Sequence, residues 1–227
     1  VNVLFIAAHP DDEVLGCGGT IARLAQEGHG IYVAILGEGM TSRYAKRDEA
    51  DQELLQALHT RSRSVSTFLG AKDHFMFDLP DNRFDTVPLL EVIKIIETVI
   101  RQVKPHSIYT QHGGDLNVDH AIVYRATLTA TRPGTECSVK QVYAYEVPSS
   151  TEWSFAQFAP AFQPNVFVDV SAYLESKIQA MRMYESEARP FPHPRSPEAL
   201  RAIAQRWGSV AGLAAAEAFC LVREVHG

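Results

Sequence analysis

With 227 residues, 46% of them apolar, and a net charge of −6, the chain has the bulk of an ordinary globular protein with a sizeable core. The acidic balance argues against nucleic acid as a partner, since phosphate binding wants a basic stripe, and no apolar run is long enough for a membrane span. Three scattered cysteines (Cys17, Cys137, Cys220) form no disulfide framework, and no signal peptide precedes the first strand; both point to a cytoplasmic setting.

Val3–Ala8 is an unbroken apolar run of strand length, as expected for a strand buried on both faces. Gly16-Cys17-Gly18-Gly19 then reads as a turn with a small buried cysteine, followed by a short helix over Thr20–Glu27 that Gly28 closes. Ile31–Leu36 is a second buried strand, Gly37-Glu38-Gly39 a turn, and Asp48–Leu69 a long helical stretch stopped by Gly70. A third strand is expected at Phe75–Phe77. Leu89, Val92, Ile93, Ile96, Val99, Ile100 and Val103 give Pro88–Val103 a helical apolar face, and Ser107–Thr110 is a fourth strand.

The second half is less regular. Val139–Val147 and Asn165–Val170 read as strands, and Ser171 as the N-cap of a helix to about Glu187. Four prolines within 190–197 forbid a helix there, and a short helix and a strand at Phe219–Arg223 finish the chain. The alternation predicts a single-domain α/β protein, residues 1–227, with a Rossmann-like, mostly parallel sheet and helices on both faces.

Two clusters carry the chemistry. His9-Pro10-Asp11-Asp12-Glu13 follows the first strand, and Asp115-Leu116-Asn117-Val118-Asp119-His120 follows the fourth. Ligands of such sheets bind at the carboxyl ends of strands, so the fold sets the clusters facing each other. So much negative charge in one place needs compensation by a cation or a helix N-terminus. His9, Asp12 and His120 form a catalytic zinc set of two imidazoles and a carboxylate that leaves a position open for water. Asp11 is adjacent without being needed as a ligand, which suits a general base returning its proton to a leaving amine. Asp119 is either an orienting partner of an imidazole or the N-cap of a helix over His120–Thr131.

The motifs Ala8-His9-Pro10-Asp11-Asp12-Glu13 with Gly16-Cys17-Gly18-Gly19, Val118-Asp119-His120, and Ala216-Glu217-Ala218-Phe219 resemble the PIG-L/LmbE-like zinc N-deacetylases over nearly the whole chain. The resemblance implies zinc on His9, Asp12 and His120, Asp11 as base, and hydrolysis of an N-acetyl group from an N-acetylglucosamine-like sugar or conjugate. Many members carry histidine where this chain has Asn117, which can donate a hydrogen bond to an oxyanion but carries no proton at neutral pH. His193, on the proline-braced loop, is expected to fold over the site in its place, with His112 as second choice. Glu38, Arg43 and Asp81 on strand-end loops, and Tyr145, Glu146, Trp153 and Phe155 as an aromatic wall, are candidates for sugar contacts. The expected partner is therefore a small acetylated amino sugar, and nothing in the sequence opposes a homo-oligomer. Three rivals stand beside this reading: an amidase of a thiol-sugar conjugate or acylated natural product, a non-catalytic sugar or nucleotide binder, and a magnesium phosphatase. The imidazoles weigh against the last.

Overall fold

In a computed structural model, which describes residues 1–134 and 138–226, seven strands form one sheet. They are β1 (Asn2–Ala7), β2 (Gly30–Gly37), β3 (Asp73–Leu79), β4 (Ser107–Gln111), β5 (Gln141–Tyr145), β6 (Val166–Asp169) and β7 (Ala216–Glu224). Their spatial order is β3-β2-β1-β4-β5-β7-β6, parallel from β3 through β5, with β7 antiparallel to both β5 and β6. The chain leaves β1 towards β2 and later returns to its other side with β4, so the sheet has its switch point between β1 and β4.

The six α-helices among the described residues are α1 (Asp12–Gln26), α2 (Gln52–Phe68), α3 (Leu89–Val103), α4 (Val118–Ala130), α5 (Leu174–Met183) and α6 (Pro197–Ala211). The apolar run of β1 divides by side-chain alternation. Val3, Phe5 and Ala7 pack with Val14, Leu15 and Ile21 of α1, Val65 of α2 and Ile178 of α5. Leu4 and Ile6 pack with Val92, Ile96 and Val99 of α3 and Val123 of α4. Both faces are thus covered, as an uninterrupted apolar strand demands.

Several boundaries depart from the sequence expectations. Helix α1 begins at Asp12, eight residues before Thr20, so Gly16 to Gly19 lie inside the helix and not in a turn. Glycine is a poor helix former, but tertiary packing overrides propensity here. A Cβ on Gly16 would collide with the Tyr145 ring, and one on Gly19 would come within 2.8 Å of Val170. Cys17 is buried as expected, but on this helix; Cys137 lies outside the described residues. Helix α2 starts at Gln52, with Asp51 accepting from the amides of Glu53 and Leu54. Asn117 and not Asp119 caps α4, its side-chain oxygen accepting from Asp119 N at 2.9 Å. Ser171 is not a helix cap: it donates to Asp169 in a turn, and α5 begins three residues later and ends at Met183. Helix α6 is a full 15 residues, entered through Ser196 as N-cap and Pro197, and left through Gly212 at φ 73°.

Candidate active site

The two clusters meet where β1 and β4 end side by side. His9 lies two residues past the end of β1, Asp12 opens α1, and Asp119 and His120 lie in the first turn of α4. Two helix N-termini therefore face the centre, and their unpaired amides favour the carboxylates gathered there. The chain reaches α1 through Asp11 at φ 114°, a left-handed conformation costly for a non-glycine residue. Glu13 over-determines it: its Oε2 accepts from Asp11 N at 3.1 Å, while Tyr184 donates to its Oε1 at 2.7 Å. Burial, only partly offset by the Tyr184 bond, raises the Glu13 carboxyl to about 7.

His9, Asp12 and His120 bring one ligand atom each to within 4.8 Å of one another, the reach of a single cation. His9 Nδ1 lies 3.4 Å and His120 Nε2 3.3 Å from Asp12 Oδ2. Each imidazole has a carboxylate at its far nitrogen: Asp119 Oδ2 is 2.9 Å from His9 Nε2, and Asp115 Oδ2 is 3.2 Å from His120 Nδ1. Such outer carboxylates fix ring orientation and tautomer in metal sites. Gln111 Nε2 and His9 N donate to Asp12 Oδ2 at 3.0 and 2.8 Å. Asp119 Oδ1 also accepts from Phe84 N at 2.9 Å.

The residues fit a metal. His120 is 2% exposed, and neither ring nitrogen has a hydrogen-bond partner among the described residues, although carboxylates lie beside both. A buried polar group left in this state calls for a missing partner. The charge balance agrees. Burial opposes imidazolium on His120, yet Asp12 and Asp115 lift it to about 9. Burial likewise opposes it on His9, where bonds to Asp119 and Asp12 outweigh the penalty and raise the group well above its usual range. Burial would raise Asp12, but His120 and His9 drive it well below. The pocket is built for positive charge.

Above these groups opens a cavity of about 590 Å³ lined by His9, Asp11 and His120 at its base. Asp11 is 2% exposed, and burial raises its carboxyl well above the ordinary range against the pull of Arg195. Arg195 Nη1 donates to Asp11 Oδ2 at 2.7 Å, and its Nε donates to Ser149 Oγ at 2.9 Å. Glu187 lies 3.5 Å from the same Nη1 and takes a pair of bonds, 2.6 and 2.7 Å, from Arg43 Nη2.

Of the sequence candidates, Arg43, Asp81, Asn117 and Trp153 line this cavity. Asp81 accepts from Ser42 N and Oγ, and its Oδ1 is 3.4 Å from His9 Nε2. Asn117 is spent on capping α4 and on a 2.8 Å bond to Asn82. Glu38, His112, His193, Tyr145, Glu146 and Phe155 lie off the cavity. Glu38 is buried holding Arg47 and Thr41. His112 bonds the Pro160 carbonyl through Nε2 at 2.7 Å. His193, expected over the site, packs edge-on against Trp153, and its Nδ1 accepts from Arg195 N. The proline-braced loop does reach the centre, but delivers Arg195. Tyr145 and Glu146 are also not wall residues: Tyr145 is buried with its hydroxyl on the Ile6 carbonyl, and Glu146 accepts from Trp207 Nε1. Phe155 is exposed outside the cavity lining. Sequence reasoning missed Arg195, Asp115 and Gln111. Asp115 lay in the quoted cluster, whereas an arginine in an irregular loop carries no signal of its own.

The PIG-L family model, described as GlcNAc-PI de-N-acetylase, matches residues 4–131. The chain is 32% identical over 191 residues to the uncharacterized deacetylase YaiS of Escherichia coli (strain K12), covering 82% of this chain and 91% of that protein. It is 28% identical over 237 residues to a 1D-myo-inositol 2-acetamido-2-deoxy-alpha-D-glucopyranoside deacetylase of Mycobacterium sp. (strain JLS), covering 86% of this chain and 77% of the other. Among solved structures, an N,N'-diacetylchitobiose deacetylase from Pyrococcus horikoshii superposes with a TM-score of 0.76 at 22% identity, covering 98% of this chain and 84% of the other. The 4-carboxy-2-hydroxymuconate hydratase GalB of Pseudomonas putida KT2440 also superposes at 0.76, with 21% identity and coverage of 100% and 98%. At those identities the superpositions speak for architecture alone. The chain belongs to the PIG-L family, and its relatives make it an N-deacetylase.

Proposed function

We propose that this chain is a zinc-dependent hydrolase that removes the acetyl group from an N-acetylglucosamine-like sugar or its conjugate. The observation that carries the reading is the convergence of His9, Asp12 and His120, with Asp119 and Asp115 behind the two imidazoles. Zinc held by these three residues supplies Lewis acidity, polarising the acetamide carbonyl and easing deprotonation of water.

The remaining work falls to the chain's own groups. Arg195 and the backbone brace at Glu13 hold Asp11 on both sides. With Oδ2 tied to Arg195, Oδ1 has no protein partner among the described residues and is the oxygen turned to the reacting water. Asp11 accepts the proton of that water as the oxygen attacks the acetyl carbon, then gives it to the departing nitrogen, so acetate and free amine leave with the proton balance closed. Asp119 acts by orienting His9, and Asn117 by capping the N-terminus of α4 so that His120 faces the centre. Arg43 and Asp81 meet sugar hydroxyls at the cavity wall. The substrate class follows the relatives, which include a deacetylase of an acetamido-deoxyglucopyranoside. The test is acetate release by the zinc-loaded protein from N-acetylglucosamine and its glycosides. Release abolished by a chelator and restored by zinc is expected, and absence of acetate and free amine with every N-acetylated sugar overturns the reading.

A further inference from the structure

Five of the twelve large apolar side chains exposed among the described residues, Leu116, Val118, Trp153, Phe155 and Phe158, come from two neighbouring stretches, the loop that enters α4 with that helix's first residue and the loop after β5. The loops interlock. Leu116 N donates to the Ser150 carbonyl, the Asp115 carboxylate accepts from the hydroxyls of Ser150 and Thr151, and a Cβ on Gly114 would collide with the Pro160 carbonyl. Three of the five, Leu116, Val118 and Trp153, line the cavity that holds His9 and His120 at its base. They are 49%, 44% and 42% exposed, a concentration of wet apolar surface beside a reactive centre that marks a binding surface.

Their chemistry narrows the occupant. An indole alone serves as a platform for a sugar face, but the aliphatic side chains of Leu116 and Val118 offer hydroxyl groups nothing. The polar side chains beside them are engaged, Asn117 with Asn82 and Asp119 N, Ser149 with Arg195 and Ser150 with Asp115, while Ser42, Arg43, Asp81 and Asn82 line the cavity from other segments. The apolar wall is also held in register with the centre: the Asp115 carboxylate that anchors Ser150 and Thr151 sits 3.2 Å from His120 Nδ1. A molecule with its acetamido group at His120 therefore meets these side chains at a fixed distance, and what meets them is the group beyond the sugar ring.

We propose that Leu116, Val118 and Trp153 form an aglycone subsite, so that the substrate is an N-acetylated amino sugar carrying an alkyl or aryl substituent. This rests on the hydrolytic reading above and deepens it. Each methylene moved from water to such a surface is worth about four-fold in affinity, and a partly open wall captures a fraction of a chain.

The experiment compares methyl and octyl N-acetylglucosaminides, below the micellar range of the latter, on the zinc-loaded protein. The expected result is a kcat/KM at least ten-fold higher for the octyl glycoside, carried by KM. The Leu116→Ser, Val118→Ser double variant, checked for native circular dichroism, is expected to bring the two within about two-fold. A second arm reads binding of methyl and octyl glucosaminide, the deacetylated products, by calorimetry, and expects ten-fold tighter binding of the octyl form. Acetate released equally from both substrates overturns the subsite and leaves the hydrolytic reading standing. No acetate from either substrate, with the ten-fold binding difference intact, overturns the hydrolysis and keeps the subsite; equal binding of the two products overturns the subsite. Self-association that the double variant abolishes, with an octyl-to-methyl ratio near one, assigns the wall to a second copy of the chain and overturns the proposal.

Discussion

Replacing Arg195 by methionine removes the charge from Asp11 while keeping most of the side chain's bulk. The guanidinium is 2.7 Å from Asp11 Oδ2, with the arginine side chain 24% and the aspartate side chain 3% exposed. A neighbouring arginine ordinarily lowers an aspartate by about 1–3 pH units. Once it is gone, burial and the charges of Asp12, Glu187 and Glu13 all push the Asp11 carboxyl the same way, up. The base is active only when ionised, so the sign is fixed: the acid limb of kcat/KM moves to higher pH by about 1–3 units. Well below that limb, each unit costs ten-fold in rate, and activity returns as the pH is raised. Arg195→Lys keeps the charge but not the fork that serves Asp11 and Ser149 together, so it is expected to fall between. The assay is a pH–rate profile of zinc-loaded variants with metal content checked. A methionine variant whose limb coincides with the parent's, whether or not its rate is reduced, refutes the argument that Arg195 acts through Asp11.

Three further outcomes follow from the buried charges. In the metal-free protein His120 is held to about 9 and His9 well above its usual range, so both are protonated at pH 7. Since these folded values exceed the unfolded one, the stability they lend is complete below pH 6.5, and the His120 share is lost as pH rises through about 9. Metal binding needs neutral imidazoles and is expected to release about two protons at pH 7, with the His120 proton no longer released above about pH 9. Calorimetric titration with zinc in buffers of different ionisation enthalpy reads this number, and an enthalpy independent of buffer refutes it. Lys177→Met leaves Glu217 buried without its 2.6 Å cation, although Glu217 still accepts from Gly19 N and Thr20 N of α1. A loss of about 3–5 kcal/mol is expected in denaturant unfolding, and a loss below 1 kcal/mol contradicts the assignment of Glu217 and Lys177 to holding α1 and α5 against β7.

Glu217 also shows how far a motif is legible before the fold is known. Ala216-Glu217-Ala218-Phe219 signals the family in the chain, but only the structure reveals its carboxylate on the backbone of α1. The glycine run in the same helix looks like a turn by propensity and becomes helical because Tyr145 and Val170 tolerate nothing larger than hydrogen there.

By itself, the sequence determined the parallel sheet and its covering helices, because the period of apolar residues and the length of each run are local properties. It also determined that His9, Asp12 and His120 would face one another, since strand ends in such a sheet share an edge. Only the tertiary structure decided which loop residue meets Asp11. Arg195 lies 184 positions away in the chain, on a loop whose prolines exclude helix without prescribing direction. It also decided that Asp119 serves His9 while Asn117 caps the helix. A helix's first residue is set by which side chain reaches the free amides, and that is settled in space.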